Sequence, residues 1–128
     1  PVKTKFDGVL VDAPCSGVGT WQRNPHARWT TTEKDVAELA EIQVRLLANV
    51  ARNVKRGGKL IYSVCTLTQS ETEDVVAAFS KRFPEFEPLD LSYAGMKGEP
   101  ASSLTVWPQH QGGNGMFVAG WKRAEEEA

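Results

Sequence analysis

At 128 residues the chain has room for one domain with a single modest core, burying roughly 65–70% of the surface that its unfolded form exposes. The 15 Lys and Arg stand against 16 Asp and Glu, a formal charge of −1, which excludes the strongly basic balance usual in nucleic-acid-binding domains. No run approaches the ~18 apolar residues of a membrane span and no charged, then apolar, leader opens the chain, so a cytoplasmic location is the default expectation.

The chain begins at Pro1 with no initiator Met and enters an apolar run at once, the pattern expected of a piece of a longer protein. Phe6 to Val11 is short and partly β-branched, which predicts a strand buried on both faces. Gly, Pro, Ser and Thr fill 13–32, a loop. Val36, Leu39, Ala40, Leu46, Leu47, Val50 and Val54 then fall at helical spacing, with Gln43 as the polar break in the stripe, and predict a helix over 33–55. Arg56-Gly57-Gly58 offers a glycine to close that helix in the left-handed conformation. Lys59 to Val64 reads as a second buried strand.

Thr68-Gln-Ser-Glu71 has the spacing of a capping box, in which the Thr hydroxyl accepts from the N3 amide and the Glu reaches back, so a helix should start there. Thr72, Val75, Val76, Phe79 and Phe83 share one of its faces, and Pro84 ends it. Phe86 to Leu91 predicts a third strand, 92–114 a long polar loop and Met116 to Trp121 a last strand. This order of strands and helices argues for an α/β, doubly wound sheet with parallel members. The expected domain covers 1–123 and leaves an acidic, disordered tail at 124–128.

Cys15 and Cys65 each sit where an apolar run ends. Ligands of open α/β sheets bind outside the carboxyl ends of the strands, so both thiols are expected to face one pocket. Neither belongs to a C-x-x-C pair, and His26 and His110, both read as loop residues, lack ligand spacing, so no metal site is expected. No G-x-G-x-x-G or P-loop pattern occurs; either the cofactor half lies upstream of Pro1 or no cofactor is needed. Arg23 and Arg28 lie close to Trp21 and Trp29 in a stretch without acidic residues, a composition that can hold phosphates and stack on bases. The competing reading makes the arginines ordinary surface residues and the tryptophans loop anchors packed on the core.

The runs Asp12-Ala-Pro-Cys-Ser-Gly17, Arg23-Asn-Pro-His-Ala-Arg-Trp29, Tyr62-Ser-Val-Cys-Thr66 and Glu71-Thr-Glu-Asp-Val-Val76 resemble the RNA 5-methylcytosine methyltransferases of the Sun/Fmu and NOL1/NOP2 type. The match covers about 6–83 and returns at 107–121, in Trp107-Pro108 and Asn114-Gly-Met-Phe117. The resemblance implies the second half of a Rossmann-like, S-adenosylmethionine-dependent catalytic domain, its sheet mixed by a last antiparallel strand. It implies RNA as partner, ribosomal RNA first. The main cofactor-binding motifs are absent from these residues, so the isolated segment should bind S-adenosylmethionine weakly or not at all and be inactive. Its exposed sheet edge would invite self-association.

The chemistry explains the residue types. Carbon 5 of cytosine is a poor nucleophile, but a thiolate adding to carbon 6 turns the ring into an enamine that attacks a methyl sulfonium. A thiol ionises appreciably near neutral pH and can leave again. Charge builds toward ring nitrogen 3, where a nearby acid lowers the barrier, and Asp12 is placed for that. Position alone does not say which thiol attacks. By the resemblance Cys65 is the nucleophile and Cys15 assists the elimination that releases product, whereas DNA cytosine methyltransferases use a cysteine after proline, the context of Cys15. The same resemblance sets Asp12 and Pro14 beside the cofactor and gives Arg28 and Trp29 a part in the RNA-binding loop. Pro14 would also stiffen the turn that presents Cys15. Two departures stand out: Val64-Cys65-Thr66 replaces the family's Thr-Cys-Ser, and Asn114 replaces its Asp while keeping a hydrogen-bond acceptor.

Other readings compete. Both cysteines could be small buried hydrophobes. Tyr62 and Ser63 are expected to pack, and Asp7 to be solvated or capping. From a different class, the chain could be a non-catalytic remnant or interaction module that keeps the scaffold. An amino-group methyltransferase would carry an Asp/Asn-Pro-Pro-aromatic loop in the place of Asp12-Ala-Pro-Cys15, and would leave Cys65 without a purpose.

Overall fold

The computed structural model describes residues 2–91 and 101–125. Its elements run β1 (Phe6–Asp12), α1 (Ala27–Thr30), α2 (Glu33–Ala51), β2 (Val54–Val64), α3 (Glu73–Arg82), β3 (Phe86–Pro88), β4 (Ser103–Val106), α4 (Pro108–Gln111) and β5 (Met116–Arg123), with 3-10 turns at Val18–Thr20 and Gln69–Glu71. The strands form one sheet in the order β1-β2-β5-β3, with β4 also paired to β5. β1 and β2 are parallel, and β5 runs antiparallel to β2, β3 and β4. This is the α/β, mixed sheet that the sequence predicts.

α2 opens at Thr32, whose hydroxyl accepts from the Asp35 amide at 3.1 Å while the Asp35 carboxylate accepts from the Thr32 amide at 2.9 Å. The expected end of that helix at 55 is corrected to Ala51. Val54 instead begins β2, fully buried and registered against Phe6. The glycines at 57 and 58 therefore do not close a helix. They lie where the β1–β2 register shifts; Gly57 takes a φ of +78°, and a Cβ on Gly58 would lie 2.8 Å from the Lys55 carbonyl oxygen.

Leu60, Tyr62 and Val64 of β2 share one face with Val9 and Val11 of β1 and with Phe117, Ala119 and Trp121 of β5. Leu47 and Ala51 of α2 and Val75 and Phe79 of α3 join the same buried core. Phe79 meets Trp121 at 4.7 Å between ring centroids and Phe83 at 4.9 Å, and the Trp121 indole N–H donates to Ser80 Oγ. The expectation that β1 is buried on both faces is corrected: Leu10 is 66% and Phe6 44% exposed, because β1 is an edge strand and helices cover one face of the sheet. Gly120 on that opposite face is instead approached by Ile61, Leu89 and Leu91.

The stretch expected as an unbroken loop over 92–114 holds β4 and α4, with Trp107 as N-cap, Pro108 in the first turn and Gly112 closing the helix at φ +70°. His110 therefore belongs to a short helix. Residues 92–100 and 126–128 lie outside the described residues, the end of the expected acidic tail among them. Ala124 donates its amide to the Glu85 carbonyl. Asp7 meets Lys55 at 3.5 Å on the surface. No described helix is long and apolar enough to cross a membrane.

Candidate active site

Asp12 and Ser63 are the last registered pair of the two parallel strands, and beyond them both chains enter loops at one end of the sheet. Parallel pairing makes the two carboxyl ends coincide, so sequence-distant residues leave them side by side. The Cys15 and Cys65 sulfurs lie 3.3 Å apart, both half-buried and free. Burial first, and the hydrogen bond to Cys65 second, push the Cys15 thiol up to about 12. Cys15 thus keeps its proton at neutral pH and can donate it toward the Cys65 sulfur.

A backbone crossing braces the Cys65 turn. Gly19 donates its amide to the Cys65 carbonyl at 3.0 Å and accepts from the Gly115 amide at 2.7 Å. A Cβ on Gly19 would sit 2.1 Å from the Gly115 carbonyl oxygen. Only glycine permits this approach.

Under the two cysteine turns lies a carboxylate whose role the sequence disguised. The 68–71 spacing does not form the expected capping box: the Thr68 hydroxyl caps no helix and instead donates to Glu71 Oε2 at 2.6 Å. Glu71 is fully buried. Its Oε1 accepts from the Ser16 amide at 2.7 Å and from Gln43 Nε2 at 3.2 Å. Its Oε2 also accepts from the hydroxyls of Ser16, at 2.7 Å, and Thr66, at 2.8 Å. Burial raises its pKa, but the hydrogen bonds from Thr68, Ser16 and Thr66 outweigh it and hold the group below the usual carboxylate range. Gln43 is the polar break in the α2 stripe: wholly buried, it also donates to the Pro14 carbonyl at 3.0 Å. The departure at Thr66 has the same explanation, since threonine keeps the hydroxyl that this carboxylate needs. Tyr62 packs in the core as expected and donates its hydroxyl to the Glu71 carbonyl.

Asp12 is exposed at the end of β1 and accepts from the Ser63 hydroxyl at 3.2 Å. Ser63 therefore holds a carboxylate as well as packing. Pro14 is also exposed. Arg28 and Trp29 lie away from the core, with the guanidinium 5.3 Å from the indole centroid and Trp29 77% exposed. Trp29 is thus no loop anchor, whereas Trp21 is half-buried. Two hollows border the same loops: one of about 150 Å³ lined by Leu67, Thr72 and Trp107, and one of about 280 Å³ lined by Arg23, Gly112, Gly113 and Asn114. Among the described residues no cluster of His, Cys, Asp and Glu could hold a metal.

The family model described as 16S rRNA methyltransferase RsmB/F matches residues 1–122. This chain belongs to that family. It is 39% identical to the probable ribosomal RNA small subunit methyltransferase B of Bacillus subtilis, over 93% of this chain and 28% of that protein. It is likewise 39% identical to ribosomal RNA small subunit methyltransferase B of Thermus thermophilus, over 100% of this chain and 32% of that one. The chain therefore spans about a third or less of these relatives. Among solved structures, PH0851 superposes with a TM-score of 0.80 at 35% identity, over 91% of this chain and 26% of that one. NSun6 from Pyrococcus horikoshii, solved with SFG, gives 0.80 at 27% identity, over 98% of this chain and 32% of that one.

Proposed function

We propose that the protein carrying this chain methylates carbon 5 of a cytosine in ribosomal RNA, with S-adenosylmethionine as donor and through a covalent cysteine–base adduct. The observation that carries the reading is the 3.3 Å approach of Cys15 and Cys65 at the strand ends of a chain in the RsmB/F family. Cys65 adds to carbon 6. Asp12, open to solvent at the end of β1, shares a proton with ring nitrogen 3 as charge develops there. When bound, S-adenosylmethionine supplies the methyl group as an electrophilic sulfonium. Asp12 and Pro14 are exposed at the carboxyl end of β1 and fit one border of such a site, while the glycine loop that would hold the rest is absent from these residues. Cys15 assists removal of the proton from carbon 5, after which the bond from Cys65 to carbon 6 breaks. A thiol that keeps its proton at neutral pH is a poor attacking group, which supports Cys65 over Cys15 as the nucleophile. Arg28 and the exposed Trp29 offer a charged and stacking surface to the RNA.

In the full-length protein, Cys15→Ala should accumulate an RNA adduct through Cys65, visible as a shifted band on a denaturing gel. Cys65→Ala should abolish both adduct and methyl transfer. Normal methyl transfer by Cys65→Ala would end this reading.

A second reading, an interaction module without catalysis, draws on the exposed Phe6 and Leu10 of β1. A defined dimer of this chain with no RNA affinity and unreactive thiols would favour it.

A further inference from the structure

We infer that Glu71 is a positioning residue: its carboxylate ties the turn carrying Cys15 to the turn carrying Cys65 and so sets the separation of the two sulfurs. The residues it holds are the immediate neighbours of those cysteines. Ser16 follows Cys15 and gives both its amide and its hydroxyl to Glu71, while Thr66 follows Cys65 and gives its hydroxyl. Thr68 and Gln43 complete the set, and Gln43 brings α2 into it through the Pro14 carbonyl, one residue before Cys15. Registered strand pairing ends at Asp12 and Ser63, and beyond that point the carboxylate bridges the two turns alongside the Gly19–Cys65 backbone bond and the Ser16–Thr66 contact.

The bonding requires the ionised form. Ser16, Thr66 and Thr68 each have one hydroxyl proton, and all three aim at Oε2. An ionised carboxylate accepts at every lone pair, whereas a protonated one would place a hydrogen among groups that are themselves donating. The Ser16 and Thr66 oxygens lie 3.0 Å apart and face one another because both are drawn to the same oxygen. Charge on Glu71 is thus balanced by dipoles from both cysteine turns. An amide nitrogen in place of that oxygen would turn an acceptor into a donor, so the Ser16, Thr66 and Thr68 hydroxyls would have to rotate and accept, and the uncharged group would hold the two turns less tightly.

The consequence for catalysis rests on the proposed methyl transfer; the geometric claim does not. The test reads sulfur proximity in the second step of oxidation: hydrogen peroxide in excess turns one thiol into a sulfenic acid and releases one water, and the rate followed is that at which the other thiol then displaces a second water and closes the disulfide between Cys15 and Cys65. In this chain Glu71→Gln should slow that conversion at least tenfold, and Ser16→Ala, which cuts one tie and leaves Glu71 in place, should slow it severalfold. Phe86→Leu, which loosens the aromatic packing at the far end of the sheet, should leave the rate unchanged even though it lowers stability. If Glu71→Gln fails to fold, Ser16→Ala carries the test. A wild-type rate in a folded Glu71→Gln or in Ser16→Ala overturns the inference, and so does an equal slowing by Phe86→Leu. In the full-length protein the same Glu71→Gln change should lower kcat about tenfold with little change in KM for RNA. Because the disulfide assay needs neither RNA nor cofactor, loss of the positioning claim and loss of the methyl-transfer reading are told apart.

Discussion

The turns at the carboxyl ends of β1 and β2 and the outer face of β1 lie within one strand's length of each other and are built on opposite terms. At the turns, a fully buried carboxylate meets five donors, and two glycines cross so closely that no side chain fits between them. On the outer face of β1, Leu10 is 66% exposed, and nothing lies within 4 Å of the place where a Cβ on Gly8 would be. In the first region the Glu71 carboxylate finds its donors within this chain, with the Gln43 Oε1 left unpartnered among the described residues, so its geometry is largely determined here. The second is an apolar surface that the described residues leave uncovered, at the edge of the sheet.

That contrast can be broken, first, at Glu71. Glu71→Ala leaves buried donors from Ser16, Thr66, Thr68 and Gln43 without their acceptor and should cost at least about 3 kcal/mol, measured by urea unfolding. A loss under about 1 kcal/mol would mean that the turns hold themselves. The same carboxylate sets a pH dependence. Its pKa is lowered on folding, so its contribution is fully present above about 4.5, the value of an ordinary glutamate, and is lost as pH falls through the lower folded value. Acid unfolding of the wild type should therefore steepen below that point, and Glu71→Gln should flatten it.

Gly19→Ala comes next. The added methyl would meet the Gly115 carbonyl, and forcing such a contact typically costs about 1–3 kcal/mol. The Cys65 carbonyl would also lose its amide partner as the crossing opens, so peroxide should join the two thiols more slowly than in the wild type. Leu10→Lys marks the other pole. An uncovered side chain has little to lose, and stability should stay within about 0.5 kcal/mol while any self-association seen by light scattering weakens. A loss above 1 kcal/mol would show that this face is covered after all.

Much of the fold was legible because periodicity is a local property. The α2 stripe, the apolar run of β1 and the core positions of α3 could be read from spacing alone, and the two cysteines drew notice because each ends such a run. The errors have local causes too. Val54 fits the helical stripe as well as a strand, and pairing with Phe6 decided for the strand. Ser103 to Val106 is too short and polar to stand out until β5 lies beside it. Glu71 fits a capping box by its spacing from Thr68 and Gln43 breaks the apolar stripe, yet neither residue reveals in sequence its partner 28 positions away.

The order of the chain thus determined the central strands and helices and that two thiols would leave strand ends, since these follow from side-chain period and from where the apolar runs stop. Only the folded chain decided that the sulfurs lie 3.3 Å apart, that Glu71 joins their turns and that Leu10 faces outward. Those facts depend on which strands pair and in what register, and register is set by the packing of distant residues against one another.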